Sequence, residues 1–430
     1  MTQYSIVKGV FDILPHSQGE EYGWRLSHLW SFVEEVVREV TRAYQFFEVR
    51  TPIFEREELF KRSVGEGSDI VTKEMYLLED KGGRKLALRP EGTAPVMRAF
   101  IEKHLDQRAG VQKLFYIGPM FRYERPQSGR YRQHHQFGVE SIGGPGPEHD
   151  AEVIDLLLEL YRRLGLKDLR VQLNSVGDAE TRNKYQVALK AFLKPNLENL
   201  SEESQARFQN NILRILDSKN KGDRALLEKA PLITDYLSES AKDHFEKVQR
   251  LLKGLGLPFN LDPHLVRGLD YYNHTVFEVT AGELGAQNAI GAGGRYDGLI
   301  AQLGGADLPA VGFATGLERI IQTMVGQGVA LPEAPCPALF MIPLGEDAKE
   351  RCLTIACRLR HSGIPVEIEL TGRKLKSALQ LGDQMRASFV AIIGENELAK
   401  GRIALKEMEA RTEHELSFDD LQPFLIGQKS

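Results

Sequence analysis

The stretch of sequence that decides the fold is Lys113-Leu-Phe-Tyr-Ile-Gly-Pro-Met-Phe121, followed after an arginine-rich segment by Gln136-Phe-Gly-Val-Glu-Ser-Ile142. Both runs carry aromatic and β-branched residues, which favour strands. Further strand-like runs lie at 46–55, 75–78 and 85–89. Strand signals with so little helix between them predict an antiparallel sheet and not a doubly wound parallel one.

The rest of the chain predicts two domains. Residues 178–258 are charged and favour helix, which predicts a helical insertion that interrupts the sheet. The Gly- and Pro-rich stretch Gly326–Pro337 predicts a linker, with bounds 329–337, and beyond it strands alternate with helices. We therefore predict an α/β protein: an α+β core over 1–328, with an antiparallel sheet flanked by helices, and a separate α/β domain with a largely parallel sheet over 338–430.

The composition is that of an ordinary globular protein of 430 residues with a net charge of −5. This charge argues mildly against a nucleic-acid partner, although phosphate binding depends on local basic surface. No apolar run approaches the roughly 20 residues that span a bilayer, and the N-terminus lacks the features of a secretory signal. The three cysteines show no metal-ligand spacing. We expect a cytoplasmic protein with reduced thiols and no membrane association.

Four arginines lie between the two strands, interleaved with aromatic residues and glutamines: Phe121-Arg122-Tyr-Glu124-Arg125-Pro-Gln127-Ser-Gly-Arg130-Tyr-Arg132-Gln-His-His-Gln136. Guanidinium groups suit phosphate because they bind two oxygens at once and keep their charge. The alternative is a charged, solvated hairpin. Adjacent histidines on a strand point to opposite faces, so His134 and His135 do not predict a metal site.

A second run, His264-Leu-Val-Arg267-Gly-Leu-Asp270-Tyr271-Tyr272, sets an arginine four and five residues before paired tyrosines. The arginine suits an anion and the tyrosines suit a flat polar ring. Together with the arginine-rich segment, this run predicts a site that holds phosphate and a small heterocyclic ligand.

These segments resemble the motifs of class II aminoacyl-tRNA synthetases. The arginine-rich segment resembles motif 2, Gly312-Phe-Ala-Thr-Gly316-Leu-Glu318-Arg319 resembles motif 3, and residues 42–55 with Pro52 resemble motif 1, the dimer-interface helix and strand. Arg267–Tyr272 and Gly293-Gly-Arg295-Tyr296-Asp297-Gly-Leu resemble the two signatures of histidyl-tRNA synthetases. The resemblance spans nearly the whole chain.

The resemblance implies activation of L-histidine by ATP to histidyl-adenylate and pyrophosphate, then transfer of histidine to the 3′ end of its tRNA. The attacking carboxylate is already an anion, so catalysis depends on positioning and on neutralising charge and not on a general base. ATP, Mg²⁺, a histidine tRNA and a homodimer are implied as well, whereas the Mg²⁺ ligands stay unassigned. The alternatives are a regulatory subunit of ATP phosphoribosyltransferase and a prolyl, threonyl or glycyl synthetase. The catalytic arginines, the appended domain and the two signatures argue against them.

The resemblance also assigns site residues. Arg267 and Arg122 are the implied catalytic arginines, at the α-phosphate and the carboxylate. The implied ATP-binding residues are Arg122, Glu124, Arg130 and Arg319. The implied histidine-binding residues are Glu91, Gly92, Thr93, Gln136, Glu140, Tyr271, Tyr272 and Tyr296. An imidazole needs an acceptor and a hydroxyl partner, which Glu140 and the tyrosines offer. Phe137 is a candidate to stack on adenine.

The C-terminal domain resembles the anticodon-binding domain of several class II synthetases. It holds 13 lysines and arginines against 15 aspartates and glutamates over 331–430, so it is not basic overall. RNA contact would depend on a local patch and on recognition of unstacked bases. The candidates for this patch are Arg373, Lys374, Lys376, Arg386, Lys400 and Arg402.

Overall fold

The structure is a computed structural model that describes residues 4–16, 19–65, 67–124, 130–218, 220–282 and 289–428. The chain forms two compact units, Met1–Pro332 and Glu333–Ser430. No helix in these ranges is both long and apolar enough to cross a membrane.

The strands are numbered in chain order. They are β1 (Phe47–Glu48), β2 (Phe54–Arg56), β3 (Leu77–Glu79), β4 (Lys85–Leu88), β5 (Gln112–Phe121), β6 (Gln133–Ile142), β7 (Leu169–Ser175), β8 (Phe259–Leu261), β9 (Asn273–Ala281), β10 (Ala289–Arg295), β11 (Ala310–Gly316), β12 (Leu339–Pro343), β13 (Val366–Ile368), β14 (Phe389–Ile393), β15 (Arg402–Glu407) and β16 (Glu413–Ser417).

The α-helices are α1 (Ser27–Ala43), α2 (Glu57–Val64), α3 (Thr93–Glu102), α4 (Pro147–Arg163), α5 (Ala179–Leu193), α6 (Glu202–Asn210), α7 (Lys221–Leu227), α8 (Glu239–Gly254), α9 (Leu299–Gln302), α10 (Leu317–Gly326), α11 (Glu346–His361), α12 (Leu375–Gln384), α13 (Glu395–Lys400) and α14 (Leu421–Gly427). Shorter 3-10 segments are Glu20–Arg25, Leu105–Gln107, Lys194–Asn199, Ile212–Asp217 and Ile233–Tyr236, and Ile70–Glu74 is a π-helix.

The first unit is built on a large sheet with the strand order β1-β5-β6-β11-β10-β9-β7-β8. Its inner pairs are antiparallel, and parallel pairing occurs at the two edges, between β1 and β5 and between β7 and β8. The predicted α+β fold with an antiparallel sheet is therefore confirmed. The segment 178–258 contains α5 to α8 and has a small core of its own around Tyr185, Leu189 and Ile215.

Two amphipathic helices build the core of this unit. Helix α1 buries Leu29, Val33 and Val37 on one face, at the helical spacing visible in the sequence. Helix α4 begins with Pro147, whose missing N–H is not needed in a first turn. It ends before Gly165, which adopts a φ of 76° that favours glycine. These helices and the sheet share one apolar cluster.

The continuous strand predicted over 46–55 is wrong. Strand β1 pairs with β5 in the large sheet, whereas β2 belongs to a separate three-stranded sheet with the order β2-β4-β3. Pro52 lies between them. Proline has no N–H for a strand ladder and restricts the residue before it, so the chain leaves one sheet before it joins the other.

Strands β10 and β11 were not predicted, because their glycine-rich sequences have low strand propensity. They nevertheless form the centre of the sheet and pair with each other antiparallel. A Cβ built at Gly293 would collide with the backbone of Gly312 and the ring of Phe277. Glycine is needed here because neighbouring atoms already fill the space of a side chain.

The second unit has a five-stranded sheet with the order β13-β12-β14-β15-β16. Strand β12 is parallel to β13 and to β14, whereas β14–β15 and β15–β16 are antiparallel. The prediction of a largely parallel sheet therefore missed the last two strands. Their short loop, with no helix in it, allows only an antiparallel connection.

Candidate active site

The floor of the site is formed by neighbouring residues on β6, β11 and β10. Glu140 on β6 lies opposite Gly312 on β11, and Gly312 lies opposite Gly294 on β10. A Cβ at Gly312 would collide with the Glu140 carboxylate. Glycine at this point of β11 therefore makes the space that the buried carboxyl group occupies.

Three tyrosines surround this carboxyl group. The ring centroids of Tyr271 and Tyr272 are 4.7 Å apart, and Tyr296 lies 5.5 Å from Tyr271 and 6.3 Å from Tyr272. The Tyr296 hydroxyl donates a hydrogen bond to Glu140 Oε2. Glu140, Tyr271 and Tyr296 are all buried. We call Glu140, Tyr271, Tyr272 and Tyr296 together the tyrosine pocket.

The Glu140 carboxyl group is buried with one oxygen unused. Within the described residues, Oε1 has no hydrogen-bond partner. Burial raises the pKa of this carboxyl from 4.5 to about 8, although the Tyr296 hydroxyl lowers it. A buried polar atom without a partner costs free energy unless a ligand or water supplies a hydrogen bond. The tyrosine pocket is thus suited to a ligand with a hydrogen-bonding group that can pair with this oxygen.

A cavity of about 300 Å³ lies over the same sheet. It is lined by six residues that the sequence analysis singled out: Arg122, Glu124, Arg130, Gln136, Arg267 and Arg319. Gln136 and Glu140 are four positions apart on β6, so their side chains project from the same face of the sheet. The cavity and the tyrosine pocket therefore share one face.

The cationic side chains of this cavity are oriented by local contacts. Arg122 Nε donates to the Pro90 carbonyl at 2.8 Å, and Arg319 Nη1 donates to the Ala289 carbonyl at 2.6 Å. Arg130 forms an ion pair with Glu124 at 3.0 Å. These contacts hold the guanidinium groups at the cavity wall.

Arg267 is held by an ion pair with Glu278 on β9, with Nη1 2.8 Å from Oε2. Its Nε atom is buried and has no hydrogen-bond partner among the described residues. Gln136 Oε1 is also buried and has no hydrogen-bond partner among the described residues. Both atoms belong to residues that line the cavity, so a ligand could satisfy them.

The electrostatic environment of this cavity favours an anion. Burial lowers the pKa of His134 to about 3, with further lowering by Arg122 and other cations, so this imidazole is neutral. Burial and the nearby Arg130 also lower the pKa of Arg319 from its usual value. Cations this close together repel one another, and a phosphate between them would relieve that repulsion.

The structure places Glu91, Gly92 and Thr93 at the start of α3. Glu91 Oε2 accepts from the Thr93 N–H at 2.8 Å and Oε1 accepts from the Ala94 N–H at 2.9 Å. This carboxylate therefore satisfies the first N–H groups of the helix. A Cβ at Gly92 would collide with the ring of Tyr116, which brings the helix start close to that tyrosine.

Some expectations are corrected or fall outside the described residues. Phe137 is fully buried in the core, 5.4 Å from Phe313 between ring centroids, so its proposed stacking on adenine is wrong. Side chains on β6 alternate between faces, and Phe137 points away from the face that carries Gln136. Arg125 and Gln127 lie outside the described residues. In the part of the chain that the structure describes, no cluster of three metal-ligating side chains occurs.

Sequence reasoning missed the structural arginine of the site. Arg295 is fully buried and forms an ion pair with Asp150. It also donates to the carbonyls of Gly144 and Gly146, each at 3.1 Å. Burial raises the pKa of Asp150, but His244 and Arg295 outweigh that effect and lower the pKa to about 2. The family signature around this arginine gave no sign that its role is to fix the fold beside Tyr296.

Tyr116 was missed as well. It is buried on β5, and a Cβ at Gly138 would collide with its hydroxyl end. Burial raises the pKa of Tyr116 well above 10, and the neighbouring Glu140 raises it further. A tyrosine inside an apolar strand sequence carries no signal that distinguishes it from a core residue.

Comparisons with known proteins agree with this architecture. A family model described as Histidyl-tRNA synthetase matches residues 27–320, and one described as Anticodon binding domain matches residues 339–428. The chain is 57% identical over 424 residues to a Histidine--tRNA ligase of Protochlamydia amoebophila, covering 98% of this chain and 99% of that relative. It is 46% identical over 422 residues to the Histidine--tRNA ligase of Bacillus velezensis, covering 97% of each.

Among solved structures, the apo histidyl-tRNA synthetase of S. aureus superposes with a TM-score of 0.82 at 36% identity, covering 98% of this chain and 100% of that one. The architecture is that of a class II aminoacyl-tRNA synthetase, a ligase of protein biosynthesis. Within that class, the chain belongs to the histidyl-tRNA synthetase family.

The raised pKa of Glu140 predicts a pH-dependent stability in the absence of ligand. Between about pH 4.5 and 8 the unfolded carboxyl is ionised while the folded one keeps its proton. The folded state then binds more protons, so the free energy of unfolding falls as pH rises through this window. Above about pH 8 the contribution of Glu140 to the free energy of unfolding, on the order of a few kcal/mol, is lost in full.

Urea unfolding of the wild type and of Glu140→Gln at several pH values measures this effect, because glutamine does not titrate. We expect the free energy of unfolding of the wild type to fall relative to that of Glu140→Gln as the pH rises from about 4.5 to 8. Parallel pH profiles for the two proteins would contradict a protonated Glu140.

Proposed function

We propose that this chain activates histidine with ATP and transfers it to the 3′ end of a histidine tRNA. The histidine carboxylate attacks the α-phosphorus of ATP, the bond to pyrophosphate breaks, and histidyl-adenylate forms. A tRNA hydroxyl then attacks the activated carbonyl and releases AMP. The observation that carries this proposal is the pairing, on one face of the sheet, of a cation-lined cavity with a buried carboxyl group among three tyrosines.

The tyrosine pocket is proposed to bind the imidazole ring. Glu140 Oε1 is buried and lacks a partner among the described residues, and an imidazole nitrogen would supply one. A neutral carboxyl donates to the acceptor nitrogen of the ring, and an ionised one accepts from the ring N–H. Ligands without such nitrogens would leave Oε1 unsatisfied, which is the basis for rejecting them.

The cation-lined cavity is proposed to bind ATP. Arg122 and Arg267 are assigned to the α-phosphate and the histidine carboxylate, and Arg130 and Arg319 to the rest of the triphosphate. Glu124 orients Arg130 through their ion pair. Gln136, whose Oε1 lacks a partner within the described ranges, is assigned to the amine end of histidine. Glu91 and Thr93 lie at the start of α3 and are assigned to the same end.

Mg²⁺ fits this cavity as a companion of ATP. It binds through one or two carboxylates together with phosphate oxygens and waters, and does not require a cage of protein ligands. Glu124 and Glu318 are carboxylates that line the cavity and would hold it. When bound, the ion would neutralise charge on the phosphates.

The second unit is proposed to bind the anticodon of the tRNA, as the matching family description suggests. Glu369 accepts backbone N–H groups from Gly372 and Arg373, each at 3.1 Å. This buried carboxylate orders the loop that leads to Lys374 and Lys376.

We also propose a cytoplasmic location, consistent with three free cysteines.

The regulatory-subunit alternative is not favoured. Relatives named as histidine–tRNA ligases match this chain along its whole length, and the catalytic arginines are present.

Histidine-dependent exchange of labelled pyrophosphate into ATP, followed by charging of tRNA with a histidine anticodon, tests the proposed activity. We expect both reactions. Exchange without charging would overturn the assignment to tRNA.

Glu140→Ala is expected to raise the KM for histidine on the order of a hundredfold, because the ring loses its buried partner. The KM for ATP should stay within about twofold, since the carboxyl lies outside the cation-lined cavity. Pyrophosphate exchange at varied histidine and ATP gives both constants. Ser141→Ala is the matched control, because Ser141 is buried next to Glu140 but faces the other side of β6. Equal losses for the two substrates would refute the assignment.

Arg267→Ala is expected to lower kcat on the order of a hundred- to a thousandfold with small changes in both KM values, because this guanidinium acts on developing charge. The substitution also leaves Glu278 without its ion-pair partner. The double variant Arg267→Ala/Glu278→Gln removes that carboxylate. If the double variant recovers turnover, the loss came from Glu278 and not from the missing guanidinium.

A homodimer is proposed from exposed apolar side chains in the first unit. Phe47 is 66% exposed, and on one face of the three-stranded sheet Phe54 is 52% and Leu78 47% exposed, since they pair with Leu88 and Leu86, two positions apart on β4. Apolar residues grouped on such a surface mark an interaction site. Sedimentation should show a dimer for the wild type and a monomer for Phe54→Glu/Leu78→Glu. Leu255→Glu is the control, because Leu255 is exposed and follows α8, away from the three strands in sequence. A monomeric wild type would refute the proposal.

A further inference from the structure

The run 264–272, which carries Arg267 and the tyrosine pair, has no regular secondary structure of its own. Residues 262–272 are all described and form neither helix nor strand between β8 and β9. Their position must therefore be fixed by contacts from other parts of the chain. At its first end, Asn174 Nδ2 on β7 donates to the Leu265 carbonyl at 3.0 Å.

The rest of the run is held by side chains of the helical segment 178–258. Arg214 Nη2 donates to the Gly268 carbonyl at 2.7 Å and to Asp270 Oδ1 at 3.1 Å. Asn211 Nδ2 donates to the same carboxylate oxygen at 2.8 Å. Arg182 Nη1 donates to the Tyr272 carbonyl at 3.2 Å.

Leu265, Val266 and Tyr272 also pack against the apolar core of the helical segment, whereas Gly268 and Asp270 are held there by hydrogen bonds. A cavity of about 360 Å³ lies between the helical segment and the run, and its lining includes Arg182, Asn211, Arg214 and Arg267. Where side chains border a cavity they lose packing contacts, so around Asp270 directional hydrogen bonds contribute more to the position of the backbone. The Arg214 side chain is only 11% exposed, which reduces competition from water.

Arg214 contacts the run at two points, one next to Arg267 and one next to the paired tyrosines. Gly268 follows Arg267 directly, and Asp270 precedes the two tyrosines directly. One guanidinium thus fixes the backbone next to the proposed catalytic arginine and the carboxylate next to the tyrosine pocket. On its other side, Asp270 approaches the turn after α2, where a Cβ at Gly65 would collide with its Oδ2.

We propose that Arg214 is a positioning residue for histidine activation, and that the helical segment holds the run 264–272 in its reactive geometry through it. The inference rests on the roles proposed above for Arg267 and the tyrosine pocket. A displacement of about 1 Å at reacting groups can cost on the order of a hundredfold in rate. Arg214 itself lies outside the cation-lined cavity and is not assigned to a substrate.

The test is tRNA-independent pyrophosphate exchange by the full chain, which separates positioning from any effect on tRNA binding. Arg214→Gln should lower kcat about ten- to a hundredfold and raise the KM for histidine, with the KM for ATP unchanged. Arg224→Gln is the matched control, because Arg224 lies on α7 of the same segment and is exposed. It should exchange like the wild type.

A double-mutant cycle distinguishes positioning from a general loss of structure. If Arg214 acts through Arg267, Arg214→Gln should cost little further kcat when Arg267 is already alanine. An equal loss of kcat in both backgrounds would overturn the proposal. So would an unchanged kcat and histidine KM in Arg214→Gln. Failure of Arg267→Ala to lower kcat would instead refute the proposed role of Arg267.

Asp270→Asn is a second variant that keeps the shape of the side chain and weakens the ion pair with Arg214. It should shift kcat and the histidine KM in the same direction as Arg214→Gln, by less. If Arg214→Gln unfolds, as thermal denaturation would show, this variant decides the question. An exchange rate equal to that of the wild type in folded Asp270→Asn would overturn the proposal.

Discussion

The buried ion pair between Arg295 and Asp150 is the interaction on which the site depends. It joins the end of β10 to the first turn of α4, and Arg295 also reaches Asp297 at 3.2 Å. Asp297 in turn is bonded to Asn273 at the start of β9. Removing one partner of a buried pair costs about 3–5 kcal/mol, because the other charge is left uncompensated. The pair therefore fixes the segment that carries Tyr296.

Once that segment is fixed, the burial of Glu140 becomes tolerable. A carboxyl group inside a sheet is costly unless it is neutral or hydrogen-bonded, and here burial raises its pKa while Tyr296 donates to one oxygen. Gly312 leaves the space that this arrangement needs. The free oxygen is then a polar group held at a defined point, which the proposed discrimination between an imidazole and other rings requires.

The sequence predicted the fold class because alternation, helix period and caps are local signals. The antiparallel sheet, α1 and α4 follow from them. The strands β10 and β11 could not be predicted, because what makes Gly293 and Gly312 strand residues is the close approach of Phe277 and Glu140, which lie far away in sequence. The same reason hides Phe137, which sits one position from a cavity residue yet points into the core. Family resemblance suggested the site residues, but it could not separate the structural Arg295 from arginines that line a cavity.

The run 264–272 shows why the parts of this site depend on one another. It places an arginine at the cavity and two tyrosines at the pocket only a few residues apart. A short run of backbone without helix or strand cannot hold such a spacing by itself, since each residue has conformational freedom to lose. Side chains from β7 and from the helical segment supply the missing constraint. The geometry that the proposed recognition and chemistry require is therefore fixed by residues that belong to neither the cavity nor the tyrosine pocket.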